Sequence, residues 1–364
     1  MKKRTKRGLS FLLVLFVLCG ILSGCGAKQT EYDPLENVET KIVTDGTDRK
    51  VEVPAEITKI APSGATAQMI LMTIAPDMLV GLSADPSSLQ RPYFPEDMWY
   101  LPTFGQFYGA KNTLNIEALV DAAPQVIIDL GDRKATIKSD MDMIQRQTSI
   151  PTVFYEMTLP KMAEGYRELG KLLGREEKAE QLAQFVEKTV AMAEEKSAMI
   201  PDDEKITIMY GTGATGLAVN ADESSQAQVI DIIGAKNAVI PDTITNKGGG
   251  TIMNLESVYD VEPDMIILTT GGPYEELTTN SWSNLKAVQA GRYYEIPGLP
   301  YNWVSAPPSV NMVLGVWWLG QLAYPDIYND YDMKEIAKEY YSLFWNYELS
   351  DEETDELLAH SYGK

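Results

Sequence analysis

The sequence predicts an α/β protein of two similar lobes with mainly parallel sheets, joined by one long α-helix. Three observations carry this expectation. Short apolar runs alternate with helix-period stretches in both halves of the chain. A single amphipathic pattern from Pro160 to about Lys196 interrupts that rhythm. And one stretch of the first half recurs in the second: Asn115-Ile116-Glu117-Ala118-Leu119, with Asp121 and Pro124 before Val126-Ile127-Ile128, matches Asn254-Leu255-Glu256-Ser257-Val258, with Asp260 and Pro263 before Met265-Ile266-Ile267. Equivalent positions are all 139 residues apart, as Asn115 is from Asn254, so the halves are expected to share one topology.

The elements follow in order. Residues 1–24 read as an export signal: Lys2, Lys3, Arg4, Lys6 and Arg7 precede an apolar run from Leu9 to Leu22 that is short for a membrane span. Leu22-Ser23-Gly24-Cys25 resembles a bacterial lipobox, in which cleavage before Cys25 and acylation of its sulfur fix the chain to a membrane surface. Cys19 leaves with the leader, so the mature chain holds no free thiol and no disulfide. Residues 25–40 are polar and aperiodic, a flexible tether. In the first lobe, 41–159, VTDGTDRKVEVP reads as a hairpin turning at Asp45-Gly46. ITKIAPSGATAQMILMTI reads as a strand, a turn at Ser63-Gly64 and a helix, while QVIIDLG and TVFYE read as buried strands, the former preceded by a helix that Pro124 ends. Residues 160–199 form the linking helix, with Gly174 marking a bend or break. The second lobe, 200–364, resumes with ITIMY, AQVIDIIG and DMIILTT.

Composition narrows the function. The formal net charge is −21, and loss of the five leader cations takes it to −26, which argues against nucleic-acid or anionic-membrane partners. The only histidine, His360, lies in a charged tail near the C-terminus. With no other His and no mature thiol, Ser-His and Cys-His catalysis and His/Cys zinc sites are absent, so the chain is read as no enzyme and as having no resident cofactor or metal. Gly211-Thr212-Gly213-Ala214-Thr215-Gly216 fits Gly-x-Gly-x-x-Gly spacing, but extended residues follow it where a dinucleotide site needs a helix. A strand-to-strand turn at a cleft is the better reading.

Candidate binding residues are the aromatics of aperiodic segments: Tyr93 and Phe94, Phe104, Phe107 and Tyr108, Trp282, Tyr301 and Trp303, with Tyr210 at the end of ITIMY. Loops at strand ends gather around ligands in open α/β sheets, and aromatic faces cover a ligand well, although each also suits packing on its own domain. Arg91 suits a ligand carboxylate or phosphate, or simply solvent. Glu117 and Glu256 occupy equivalent first-turn positions; they complement the helix dipole, or form paired acidic knobs for a dimeric membrane partner.

With these segments in view, the chain from about Val43 to Tyr328 resembles the solute-binding proteins of ABC importers for iron-siderophores, haem and cobalamin. The carriers are ITKIAPSGATAQMILMTIAPDMLVGLS, NIEALVDAAPQVIID, YRELGKLLGREEKAE, NLESVYDVEPDMIIL, WSNLKAVQAGRYYEIP and WVSAPPSVNMVLGVWWLGQLAYPD, the last being the most specific. The resemblance implies a ligand cleft between the lobes, modest hinge motion, and delivery of a small molecule to an ABC permease dimer outside the membrane. It implies docking of permease arginines on Glu117 and Glu256. It also implies ligand contacts at Trp303 and in the loops of Tyr93 and Phe107-Tyr108. The expected ligand is a metal chelate, corrinoid or haem, itself carrying iron or cobalt; the lack of a cleft histidine and the few arginines favour a neutral or weakly charged chelate. The alternatives are a molybdate-type oxyanion held by backbone N–H groups of the Ser63-Gly64 and Gly211-Gly213 turns, and an extracytoplasmic nucleotide-binding enzyme.

Overall fold

Three parallel strands form the sheet of the first lobe, β3 (Ile60–Pro62), β4 (Val126–Gly131) and β5 (Thr152–Glu156), in the order β3-β4-β5. Before them β1 (Thr40–Thr44) and β2 (Lys50–Pro54) make the expected antiparallel hairpin. Asp45 fixes its turn by accepting from the N–H groups of Thr47 at 2.9 Å and Arg49 at 3.0 Å. The buried Arg49 guanidinium then reaches Asp45 at 3.0 Å, Asp142 at 2.8 Å and the Thr152 carbonyl at 2.9 Å, pinning the hairpin to the lobe. Helices α1 (Ala65–Ile74), α2 (Ile116–Ala122) and α3 (Ile137–Thr148) complete this α/β unit, and the strands are buried almost to their ends because both faces are covered, with Asp129 the one charge among the buried strand positions. The computed structural model describes residues 32–108, 112–222, 224–240 and 251–361. The leader, Cys25 and most of the tether lie outside them, and the described residues from Pro34 onward constitute one body.

The segment expected as one linking helix is two, α4 (Met162–Leu173) and α5 (Glu176–Ser197). Gly174, at φ 65°, breaks the chain between them, and α4 folds back along α5. Gly170 permits the approach: a Cβ there would lie 2.5 Å from that of Ala179. Arg167 of α4 bridges Glu180 at 2.7 Å and Glu187 at 2.5 Å on α5.

The second lobe contains β6 (Thr207–Thr212), β7 (Ala218–Val219), α6 (Gln228–Ile232), β8 (Lys236–Asn237), β9 (Thr251–Ile252), α7 (Leu255–Val261), β10 (Met265–Leu268), α8 (Lys286–Gln289) and β11 (Tyr293–Glu295). Its sheet runs β11-β10-β6-β7-β9, with β8 also on β6. The central β6, β10 and β11 are parallel, as is β8, while β7 and β9 pair antiparallel. The order β6-β10-β11 repeats β3-β4-β5, and the recurrence seen in sequence is structural. Asn115 accepts from the Ala118 N–H at 3.1 Å and Asn254 from the Ser257 N–H at 2.8 Å, so α2 and α7 begin on the same cap. Both end on a left-handed residue before proline, Ala123 at φ 49° and Glu262 at φ 39°.

The C-terminal part is more integral than its charge suggests. After α9 (Asn311–Ala323), which is almost wholly buried, α10 (Met333–Tyr340) runs into a π turn at Tyr341–Trp345, and α11 (Asp351–Leu357) follows. Phe344 stacks on Tyr340 at 4.4 Å and meets Phe185 of α5 at 5.6 Å, while Trp345 meets Phe94 of the first lobe at 5.5 Å. One continuous apolar core therefore joins both lobes and the helical hairpin, with a smaller core inside the second lobe. Among the described residues no helix is long and apolar enough to cross a membrane.

Candidate functional site

Beyond the C-terminal ends of β3 and β4 a cavity of about 440 Å³ opens between the lobes. The first lobe lines it with residues 63–67, Gln106, Tyr108, Asp129, Asp132, Lys134 and Phe154, and the second lobe with Ser225, Gln226, Pro307 and Pro308. The turn from β3 into α1 is the centre of the site. Gly64 caps α1 without a side-chain hydrogen bond, and no acidic residue occupies the first turn. The N–H groups of Ala65, Thr66 and Ala67, which have no intrahelical acceptor, thus lie at the cleft with the positive end of the helix dipole. A Cβ on Gly64 would meet nothing within 4 Å, so the turn faces open space.

Asp129, on β4, forms the floor. It is 4% exposed, accepts from Ser63 Oγ on Oδ1, and accepts from Tyr108 Oη on Oδ2 at 2.9 Å. Burial raises its carboxyl to about 6, opposed by those two hydrogen bonds and by Lys134. Burial also raises the Tyr108 phenol, followed by the charge of Asp129. The backbone sets Tyr108 in place: the Phe107 N–H donates to the Ser63 carbonyl at 3.0 Å, and Ser63 N–H to the Ile128 carbonyl at 3.1 Å. Across the cleft, Gln226 accepts from Ser305 Oγ, and Asn302 accepts from the Val304 and Ser305 N–H groups at 3.0 Å, holding the turn that presents Pro307 and Pro308.

Of the aromatic candidates, the structure brings only Tyr108 to this cavity. Phe107 is fully buried beneath the loop, Trp303 is 1% exposed with its indole N–H directed to Tyr341 Oη at 3.4 Å, and Tyr210 is enclosed in β6 beside Ser305. Tyr93 packs on Tyr341 at 5.6 Å and Tyr347 at 4.7 Å, and Tyr301 on Phe94 and Trp345. Tyr93 and Phe94 line a separate groove of about 630 Å³ together with Trp345 and Tyr347. Arg91 lies 5.8 Å from the Trp99 ring and donates to the Pro86 carbonyl at 3.4 Å, outside the cleft lining. For Tyr93, Tyr301 and Trp303 the physical reason is shared: the aromatic segment 340–347 supplies packing partners that local sequence does not reveal. The 211–216 stretch ends β6 and turns toward antiparallel β7, and it does not line the cavity; Ser225 and Gln226 stand across from Gly64 instead. Glu117 and Glu256 are exposed in the first turns of α2 and α7. The sequence reading missed Asp129, Gln106, Lys134, Ser225 and Gln226. For Asp129 a signal existed, a charge inside the apolar run of a parallel strand near its C-terminal end.

Two lobes of one topology, a linking helical hairpin and a cleft at the strand ends define a two-lobed binding protein. The chain belongs to the periplasmic binding protein family, whose model matches residues 60–299. It is 22% identical over 91% of its length to an uncharacterised ABC transporter substrate-binding lipoprotein, YvrC, of Bacillus subtilis, all of which it covers. It is 24% identical to the molybdate-binding protein MolA of Haemophilus influenzae, over 90% of this chain and 96% of that one. An ABC transporter solute-binding protein from Sulfurospirillum deleyianum superposes with a TM-score of 0.80 at 25% identity, covering 87% of this chain and 99% of the other.

Proposed function

We propose that this chain is the extracytoplasmic, lipid-anchored solute-binding component of an ABC importer, and that its solute is a compact oxyanion held at the N-terminus of α1. The observation that carries the ligand class is the uncapped first turn of α1 opening into the interlobe cleft, a ready set of N–H donors for negative oxygen. Gln106, Lys134 and Gln226 add polar side chains around it. All of the aromatic residues expected to cover a bulky ligand except Tyr108 are turned away from this cavity, which favours a small hydrophilic solute. Glu117 and Glu256 are proposed to dock a permease dimer, one on each lobe, and Cys25 to carry the lipid.

Thermal unfolding of the mature protein against a panel of tetrahedral oxyanions tests this reading; one of them is expected to raise the melting temperature saturably. A second reading, a ferric hydroxamate-type chelate, is favoured by a cavity of about 440 Å³, roomier than a bare tetrahedral anion requires. Competition decides: a chelate that stabilises the protein while no oxyanion does so replaces the first reading with the second.

A further inference from the structure

Asp129 is a buried carboxylate in the lining of the cleft, and its hydrogen bonds dictate what its neighbours can offer a solute. An ionised carboxylate only accepts, whereas a hydroxyl owns a single proton. With the Ser63 proton directed to Oδ1 and the Tyr108 proton to Oδ2, both hydroxyls turn lone pairs, not protons, toward the cavity. The α1 side does the opposite, presenting N–H groups, with the Lys134 ammonium in the same lining. A solute that satisfies both walls accepts on one side and donates on the other.

We propose that Asp129 makes the cleft a selector of proton content, taking an oxyanion that still carries an O–H and discriminating against one that carries none. The inference rests on the oxyanion reading above and names its solute class. A proton-free oxyanion sets its own lone pairs against those of Ser63 and Tyr108 and against the Asp129 charge, so unpaired acceptors replace a hydrogen bond. The surrounding charges are few: Lys134 favours the ionised carboxylate, Asp132 and Asp140 act on Tyr108, and the second lobe contributes the uncharged Ser225 and Gln226. Because burial raises the carboxyl to about 6, acid protonates Asp129, frees one hydroxyl to donate, and relaxes the discrimination.

Isothermal titration of the mature protein with phosphate and arsenate, which retain a proton near neutrality, against sulfate and molybdate, which do not, tests this. Near neutral pH the protonated anions are expected to bind at least about tenfold tighter, the effect of one hydrogen bond to a charged group. That ratio is expected to shrink to about threefold or less in Asp129→Asn, and in the wild type at about pH 5. The wild-type pH comparison holds whether or not the variant folds. Anions that bind with an equal or inverted ratio near neutrality overturn the selector and leave the α1 site standing, as does a ratio that survives both acid and the variant. A panel in which no anion binds at either pH overturns the oxyanion reading itself, and the selector with it.

Discussion

Asp129 holds its carboxyl almost wholly out of water at the floor of the cleft, and this fixes a pH dependence of the free protein. Its carboxyl moves from 3.8 to about 6 on folding, so between those values the native state binds more protons than the unfolded one. The contribution to stability is therefore complete below about pH 4 and lost as the pH rises through about 6. Asp129→Asn, which cannot ionise, is expected to match the wild type near pH 4 and exceed it near pH 7. The upper limit is roughly 3 kcal/mol, less whatever the Ser63 and Tyr108 hydrogen bonds lose. Urea melts of the two proteins across that range check it; curves that stay parallel contradict the assignment. At this scale the sequence was partly legible. Tyr108 was readable as a cleft aromatic because it sits in an aperiodic segment where the family resemblance implies a ligand loop. For Tyr93, Tyr301 and Trp303 packing and ligand contact stayed open together, because their partners Tyr341, Trp345 and Tyr347 stand some forty to more than two hundred residues away in the chain, and periodicity reports only near neighbours.

Elements were more legible than side chains where a local rule decides them. The Asn caps, the prolines after α2 and α7, and the apolar strands all carry their geometry in a few adjacent residues. The helical hairpin shows where that ends: the apolar stripe read as one linking helix with a bend or break at Gly174, whereas the reversal into two antiparallel helices rests on a close contact between Gly170 and Ala179. The two glycines should consequently fail differently. Gly170→Val places a Cβ 2.5 Å from the Ala179 Cβ and 3.2 Å from the Glu176 Cα. It is expected to destabilise the protein by about 2–3 kcal/mol through overpacking. Gly174→Ala meets nothing within 4 Å and bears only the left-handed backbone, about 1 kcal/mol. Denaturant melts that rank Gly174→Ala as the worse substitution would remove the close approach of α4 and α5 as the cause. In the C-terminal segment, Phe344→Ala opens a hole between Tyr340, Phe185 and Tyr166. About 3–5 kcal/mol is the expected loss in the same melts.

At the scale of the whole molecule, the shared core and the C-terminal aromatics hold the lobes to one another, and Gln90 Nε2 adds a 2.8 Å bond from the first lobe to the Pro300 carbonyl of the second. Lobes joined in this way keep the first turns of α2 and α7 at a nearly fixed spacing, which suits Glu117 and Glu256 to a rigid two-point dock. The 139-residue recurrence supplies the symmetry, since each glutamate stands on the same cap in its own lobe. If they dock a permease dimer, charge reversal is expected to separate transport from capture. Glu117→Arg and Glu256→Arg should each reduce solute uptake in cells, and the double variant should abolish it, while affinity for the solute stays within about twofold because neither residue lines the cleft. Reversal also opposes the helix dipole, by about 1 kcal/mol at an exposed first turn, so the Glu→Gln pair serves as the control that removes charge without adding repulsion. Uptake that persists in the double arginine variant, with the protein folded and solute bound, would leave the two carboxylates as helix-dipole partners alone.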